Sequence, residues 1–174
     1  REAASPKATI LIVEDNADMR SFIADLLGPY YHIQLAENGK KALEILGEVL
    51  AIDLIVSDVM MPEMDGFELL TQIKAHAEWR KLPMIMLTAR TAEKDKLSAL
   101  RIGVDDYLTK PFVKEELIVR IENLLRNAAG RKEAMTYELE ETAVKIAPIE
   151  RLTPLVETDK KGIETQKWLD NLEQ

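Results

Sequence analysis

The sequence predicts an α/β fold with a doubly wound parallel sheet of five strands. Short apolar segments alternate along the chain with segments of helical periodicity, which is the pattern of βαβ units. Two of the apolar segments, residues 9–13 and 54–56, are long enough for strands buried on both faces. We expect five strand–helix repeats, (βα)₅, with the strand order 2-1-3-4-5.

The first strand is predicted from Thr9-Ile10-Leu11-Ile12-Val13, and two acids follow it directly. The helix after it covers about residues 17–27, because its apolar residues recur at spacings of three and four. Those residues are Met19, Phe22, Ile23, Leu26 and Leu27. Gly28-Pro29 ends this helix.

The second repeat is a weaker strand at about residues 31–36 and a helix at about 40–48. The third repeat has the clearest strand, residues 53–58, followed by the turn-rich segment 61–66 and a helix at about 66–77. We expect Phe67, Leu70 and Ile73 to face the core from that helix.

The fourth strand is predicted from residues 83–89, and a highly charged helix follows at about 92–102. That helix carries Leu97 and Leu100 but many charges, so we expect looser packing. The fifth strand covers about residues 106–110, and the fifth helix starts after Pro111. Its predicted core residues are Leu117, Ile118, Ile121, Leu124 and Leu125.

Four of the predicted strands end in polar side chains. The carboxyl ends of parallel strands meet at one edge of the sheet, where α/β folds bind their ligands. The side chains expected at that edge are Glu14, Asp15, Asp58, Thr88 and Lys110. Three acids with one amine and one hydroxyl suit a hard divalent cation and a phosphoryl group. Taken singly, Asp58 is as consistent with a helix N-cap as with a nucleophile.

These motifs, in this order, resemble the response-regulator receiver domain of two-component signalling. The resemblance rests on Glu14-Asp15, Asp58, Thr88-Ala89 and Lys110-Pro111-Phe112 and covers about residues 8–127. It implies the flavodoxin-like receiver fold. It also implies a parent protein such as a hybrid sensor histidine kinase, with a histidine kinase as phosphodonor.

The resemblance implies a role for each site residue. Asp58 is the phosphoacceptor, and Mg²⁺ is held by Asp15 and Asp58, by Glu14 through water and by the backbone carbonyl of Met60. Lys110 contacts a phosphoryl oxygen. Thr88 donates a hydrogen bond to another phosphoryl oxygen, and Thr88 and Tyr107 form the switch. The Lys110-Pro111 peptide is expected to be cis, and we expect the metal-free acids to hold protons more tightly because like charges repel.

Composition excludes several other functions. The net charge is −8, so nucleic-acid binding by this segment is not expected. The chain has no cysteine, which fits a reducing cytoplasm and excludes thiolate metal sites. We expect no contact with a membrane, since no apolar run approaches the ~20 residues of a membrane span. DNA contact would come only through a missing output domain.

We divide the chain into a linker at residues 1–7, the receiver domain at 8–127 and a helical extension at 128–174. The extension resembles the linker before an AraC-type helix-turn-helix domain, with Trp168-Leu169-Asp170 introducing that domain. The fifth helix either ends near Gly130 or continues into the extension through residues 133–141. Pro148 and Pro154 then break the helical pattern, and a last helical stretch is expected at 159–172.

Two alternative functions stay open at this level. One is an interaction module that works without phosphorylation, and the other is a phosphatase with an aspartyl nucleophile. A phosphatase of that kind needs a second carboxylate two residues after the nucleophile, and that position is Met60. Any enzymatic activity of this chain would be limited to its own phosphorylation and dephosphorylation, whereas the parent protein would be a histidine kinase. The mixed charges of the fourth helix, fifth strand and fifth helix form either a solvated face or a homodimer interface.

Overall fold

A computed structural model describes the backbone of residues 6–49, 51–89 and 93–150, and their side chains except at 93, 95 and 141–150. The strands are β1 Thr9–Val13, β2 His32–Ala36, β3 Leu54–Asp58, β4 Met84–Ala89 and β5 Asp106–Lys110. The helices are α1 Ala17–Leu27, α2 Gly39–Glu48, α3 Gly66–Ala75, α4 Glu93–Ile102 and α5 Lys114–Glu150.

The strands form one sheet in the order β2-β1-β3-β4-β5, and every neighbouring pair is parallel. This is the predicted doubly wound (βα)₅ arrangement. β1 and β3 are neighbours at the point where the strand order reverses. Their carboxyl ends, with those of β4 and β5, therefore open onto one edge of the sheet.

The core lies on both faces of the sheet because strand side chains alternate between the faces. Leu11 and Val13 of β1 face the side covered by α2, α3 and α4, whereas Ile10 and Ile12 face the side covered by α1 and α5. All four side chains are buried. Helices on both faces explain why the strands are apolar without a solvent side.

Two helices show how far the apolar patterns predict burial. In α4, Leu97 and Leu100 are more than half exposed and Ala99 is buried, in line with the looser packing expected of this charged helix. A small side chain at the contact leaves the larger leucines on the outer face. In α1, Ile23 and Leu27 are fully buried, but Phe22 is half exposed. The spacing of apolar residues alone therefore predicted a wider buried face for α1 than the structure has.

The last helix is long. α5 continues past the predicted end of the receiver domain to Glu150, so Pro148 does not break it where the sequence pattern suggested. The boundary between two compact units of the chain falls between Ala129 and Gly130. The predicted helical stretch at 159–172 lies outside the described residues. Among the described residues, no helix combines the length and apolar character needed to span a membrane.

Candidate functional site

Asp58 is the last residue of β3 and opens onto the carboxyl edge of the sheet. The backbone N–H of Val59 donates a hydrogen bond of 2.8 Å to Asp58 Oδ1, and the Ser57 hydroxyl donates one of 2.9 Å to the Asp58 carbonyl. These bonds hold both the side chain and the backbone of Asp58. The carboxylate is half-buried, so it stays accessible to a substrate from outside.

Glu14 and Asp15 follow β1, and their side chains differ in exposure. The Glu14 side chain is only 3% exposed, whereas Asp15 faces solvent. The Asn16 backbone N–H donates a hydrogen bond of 3.2 Å to Glu14 Oε1, while the Asn16 side chain caps α1. The backbone here is held by Arg20 of α1, whose Nη1 donates to the Glu14 carbonyl at 2.8 Å.

Lys110 joins two of these acids. Its Nζ lies 3.1 Å from Asp58 Oδ1 and 3.3 Å from Glu14 Oε2. The position follows from the sheet, because Lys110 is the last residue of β5 and pairs with Ala89 at the end of β4. The peptide bond from Lys110 to Pro111 is cis, as predicted.

The three carboxylates are close enough to share one cation. One oxygen from each of Glu14, Asp15 and Asp58 lies within 4.8 Å of the others. Carboxylate oxygens with solvent access are the ligand set that Mg²⁺ prefers, because Mg²⁺ keeps several of its waters. The donor chemistry therefore fits Mg²⁺.

Glu14 has a raised proton affinity. Burial and then the negative charge of Asp58 raise the pKa of Glu14 from 4.5 to about 7, although the Lys110 charge and the Asn16 N–H act in the opposite direction. The upward direction of this pKa shift was predicted from the sequence on the basis of like-charge repulsion alone. In the structure the larger cause is desolvation, which disfavours the charged form.

The remaining predicted site residues lie around this cluster. Thr88 is buried near the end of β4, and Met60 is 75% exposed in the loop after β3. Tyr107 of β5 is half-buried and packs against the core on the α4 side. Lys96 of α4 lies over its ring, with Nζ 4.4 Å from the ring centroid.

Arg20 and Gly66 are among the residues at the site that were not predicted. Arg20 binds the backbone of the acidic pair from one turn into α1, and a cation six residues after an acid is too common a spacing to reveal this. Gly66, the first residue of α3, packs directly on the backbone of Asp58. A Cβ at Gly66 would lie 2.4 Å from the Asp58 carbonyl oxygen, so only glycine fits. In the sequence, a glycine directly after a turn-rich segment was the signal that could have revealed this close packing.

Comparison with known proteins agrees with this architecture. Residues 10–122 match the family model of the response regulator receiver domain. The chain is 40% identical over 119 residues to hybrid signal transduction histidine kinase D of Dictyostelium discoideum, covering 68% of this chain and 8% of the relative. It is 40% identical over 120 residues to the transcriptional regulatory protein CpxR of Escherichia coli K12, covering 68% of this chain and 50% of the relative.

A solved structure shows the same fold. The signal receiver domain of a signal transduction histidine kinase from Syntrophus aciditrophicus matches with a TM-score of 0.64 and 35% identity, covering 69% of this chain and 91% of that one. The chain belongs to the response regulator receiver domain family. It spans only 8% and 50% of the two sequence relatives named above.

Proposed function

We propose that this chain is a phosphoacceptor module that takes a phosphoryl group from a histidine kinase onto Asp58. The Asp58 carboxylate attacks phosphorus, the bond from phosphorus to the donor imidazole nitrogen breaks, and an acyl phosphate forms on Asp58. The observation that carries the proposal is the 3.1 Å contact of Lys110 Nζ with Asp58 Oδ1 in an accessible acidic site.

Each neighbouring residue has a role in this reaction. Phosphoryl transfer depends on positioning and on neutralising charge. Lys110 acts as a point charge against one phosphoryl oxygen. Thr88, at the end of the adjacent strand β4, donates a hydrogen bond to another.

The acids supply a site for Mg²⁺. Asp15 and Asp58 would hold it directly, Glu14 would hold it through water, and the Met60 backbone carbonyl would be a further ligand. Mg²⁺ bound there would supply positive charge against the transferring phosphoryl group. The 4.8 Å clustering of the three carboxylates supports this assignment. The use of a backbone carbonyl explains why an exposed methionine is acceptable at position 60.

Phosphorylation then changes the surface of the domain through Thr88 and Tyr107. Thr88 moves towards the phosphoryl group, and Tyr107 turns inward into the space it leaves. The surface that responds is built from α4, β5 and α5, and it offers a homodimer interface. Tyr107 supports this route because it lies on β5 and also contacts α4 through Lys96.

The parent protein, we infer, is a cytoplasmic hybrid histidine kinase with transcriptional output through a DNA-binding domain outside this chain. The relatives include a hybrid histidine kinase and a transcriptional regulatory protein, which supports both parts of this assignment. The division into a linker at 1–7, a receiver at 8–127 and an output-directed extension at 128–174 belongs to the same proposal. The acidic net charge of −8 agrees with DNA contact through another domain.

Intact-mass spectrometry tests the proposal. The protein is incubated with MgCl₂ and acetyl phosphate, with Asp58→Asn as the matched variant. We expect one phosphoryl adduct on the wild type that requires Mg²⁺ and is absent from the variant. No adduct on either protein would instead favour an interaction module that works without phosphorylation, and continuous release of phosphate with rapid turnover would favour a phosphatase.

A further inference from the structure

We propose that Asn38 and Gly39, at the start of α2, form a brace that holds the loop between β3 and α3 in its metal-binding position. The loop covers residues 59–65 and contains Met60. This inference rests on the proposed function, since it concerns the carbonyl that Met60 offers to Mg²⁺. Asn38 and Gly39 are positioning residues and touch neither the metal nor the phosphoryl group.

Two polar contacts join the start of α2 to the far half of the loop. The Gly39 backbone N–H donates a hydrogen bond of 3.2 Å to the Met64 carbonyl. The Asn38 side-chain amide donates one of 3.4 Å to Glu63 Oε2, while its oxygen caps α2 by accepting from the Lys41 N–H at 2.8 Å. Asn38 is buried but Glu63 is exposed, so the bond between them is only partly shielded from water.

A side chain at position 39 would be crowded by the Met64 side chain and by its carbonyl oxygen. A Cβ on Gly39 would lie 2.8 Å from Met64 Cγ, 3.0 Å from its Sδ and 3.0 Å from its carbonyl oxygen. Gly47, near the other end of the same helix, has no atom within 4 Å of its Cβ position. The requirement for glycine is therefore specific to the contact with the loop.

The loop itself contains backbone strain that a brace would hold in place. Glu63 has φ of 64°, in the left-handed region that costs a residue with a side chain about 1 kcal/mol or more. Such a conformation persists only where its surroundings enforce it. The contacts from Asn38 and Gly39 fall on Glu63 and the next residue, Met64, which is where that enforcement is needed.

The other end of the loop is tied to the site. The Gly66 N–H donates a hydrogen bond of 2.8 Å to the Val59 carbonyl, and the Val59 N–H binds Asp58 Oδ1. Met60 therefore lies between Val59, which is held at the site, and Glu63 and Met64, which are held by α2. A backbone carbonyl cannot adjust by rotating a side chain, so its position is set by the loop. Loss of the brace would therefore reduce the fit of that carbonyl to the metal.

Calorimetric titration of the full chain with MgCl₂, without phosphodonor, tests the brace. Gly39→Ala is compared with Gly47→Ala, which adds the same methyl group to the same helix. We expect the Kd for Mg²⁺ to rise about tenfold in Gly39→Ala, as for other residues that orient metal ligands, and to be unchanged in Gly47→Ala. Adding Met64→Ala to Gly39→Ala removes two of the three close contacts and should restore part of the affinity.

The outcomes separate the two proposals. Folded Gly39→Ala with the wild-type Kd would overturn the brace alone, whereas wild-type protein that binds no Mg²⁺ would overturn the metal site and the brace with it. Asn38→Ser provides an independent variant if Gly39→Ala does not fold. Serine keeps the helix cap but loses the amide that reaches Glu63. We expect it to bind Mg²⁺ more weakly at wild-type unfolding stability, and an unchanged Kd in Asn38→Ser would contradict the brace.

Discussion

Lys110 Nζ lies 3.1 Å from Asp58 Oδ1, although the strands that carry these residues are separated in the sheet by β4. The contact exists because parallel strands end at the same edge, and a lysine side chain is long enough to reach across one intervening strand. It places a fixed positive charge against the candidate nucleophile. The same amine also contacts buried Glu14 at 3.3 Å, so Lys110 is held from two sides.

Replacing this lysine should slow phosphorylation strongly. We expect Lys110→Met to reduce the initial rate of Asp58 phosphorylation by about 10²-fold, comparable to the loss of one group that stabilises transition-state charge. Lys110→Arg should not restore the rate, because a planar guanidinium cannot replace a compact point charge here. Timed intact-mass measurements with acetyl phosphate and Mg²⁺ give the rates. A Lys110→Met rate equal to the wild type would contradict the assigned role.

The buried Glu14 should make metal-free stability depend on pH. Its pKa is raised to about 7 in the folded protein, against 4.5 for the ordinary group. The folded state therefore binds the proton more tightly than the unfolded state. The stabilising contribution is full below about pH 4.5 and is lost as the pH rises through about 7.

Urea denaturation in EDTA of the wild type and Glu14→Gln, across pH 4.5–7.5, measures this contribution. We expect the unfolding free energy of the wild type to fall relative to the variant as the pH rises, by on the order of 1–3 kcal/mol. A difference that stays constant, or that grows in favour of the wild type, would show that Glu14 is not the group that titrates.

A methyl group at Gly66 should be poorly tolerated. Its Cβ would lie 2.4 Å from the Asp58 carbonyl and 3.0 Å from the Val59 Cα, and backbone atoms cannot move aside as a side-chain end can. We expect Gly66→Ala to lower the unfolding free energy by about 3 kcal/mol. Gly130→Ala, in α5 with no atom within 4 Å of its Cβ position, should raise stability by up to about 1 kcal/mol. Equal effects of the two changes in urea denaturation would be incompatible with the packing described.

The contact of Lys96 with Tyr107 should be measurable as an energetic coupling. A cation 4.4 Å above a half-exposed aromatic ring contributes about 0.5–1 kcal/mol. A double-mutant cycle of Lys96→Met and Tyr107→Leu, followed by urea denaturation, isolates it. We expect a coupling of about 0.5 kcal/mol that shrinks on phosphorylation, as the ring turns inward. Strict additivity in both states would separate Lys96 from the proposed switch.

The sequence predicts the sheet well because its signal is local. Apolar runs such as residues 9–13 show strands buried on both faces, and spacings of three and four show the helices. The site follows from one topological rule, that parallel strands place their ends together. That rule was enough to bring Glu14, Asp58 and Lys110 to the same edge, where the structure shows them in contact.

Features that depend on contacts between distant loops could not be predicted. The packing of Gly39 on Met64 has no periodic signature, and neither does the bond from Arg20 to the Glu14 carbonyl. The side of α4 that packs on the sheet could not be predicted for a related reason, since a charged helix shows its apolar residues without showing which of them face the sheet. The main cause of the raised Glu14 pKa is burial, which sequence spacing does not measure.

The most direct test of the account is to locate the phosphoryl group on the chain. An acyl phosphate on an aspartate is reduced by borohydride to the corresponding alcohol, which peptide mass mapping then places in the sequence. After reaction with acetyl phosphate and Mg²⁺, we expect reduction at position 58 alone. Reduction at Asp15 or at another acid, or no reducible adduct at all, would contradict Asp58 as the phosphoacceptor.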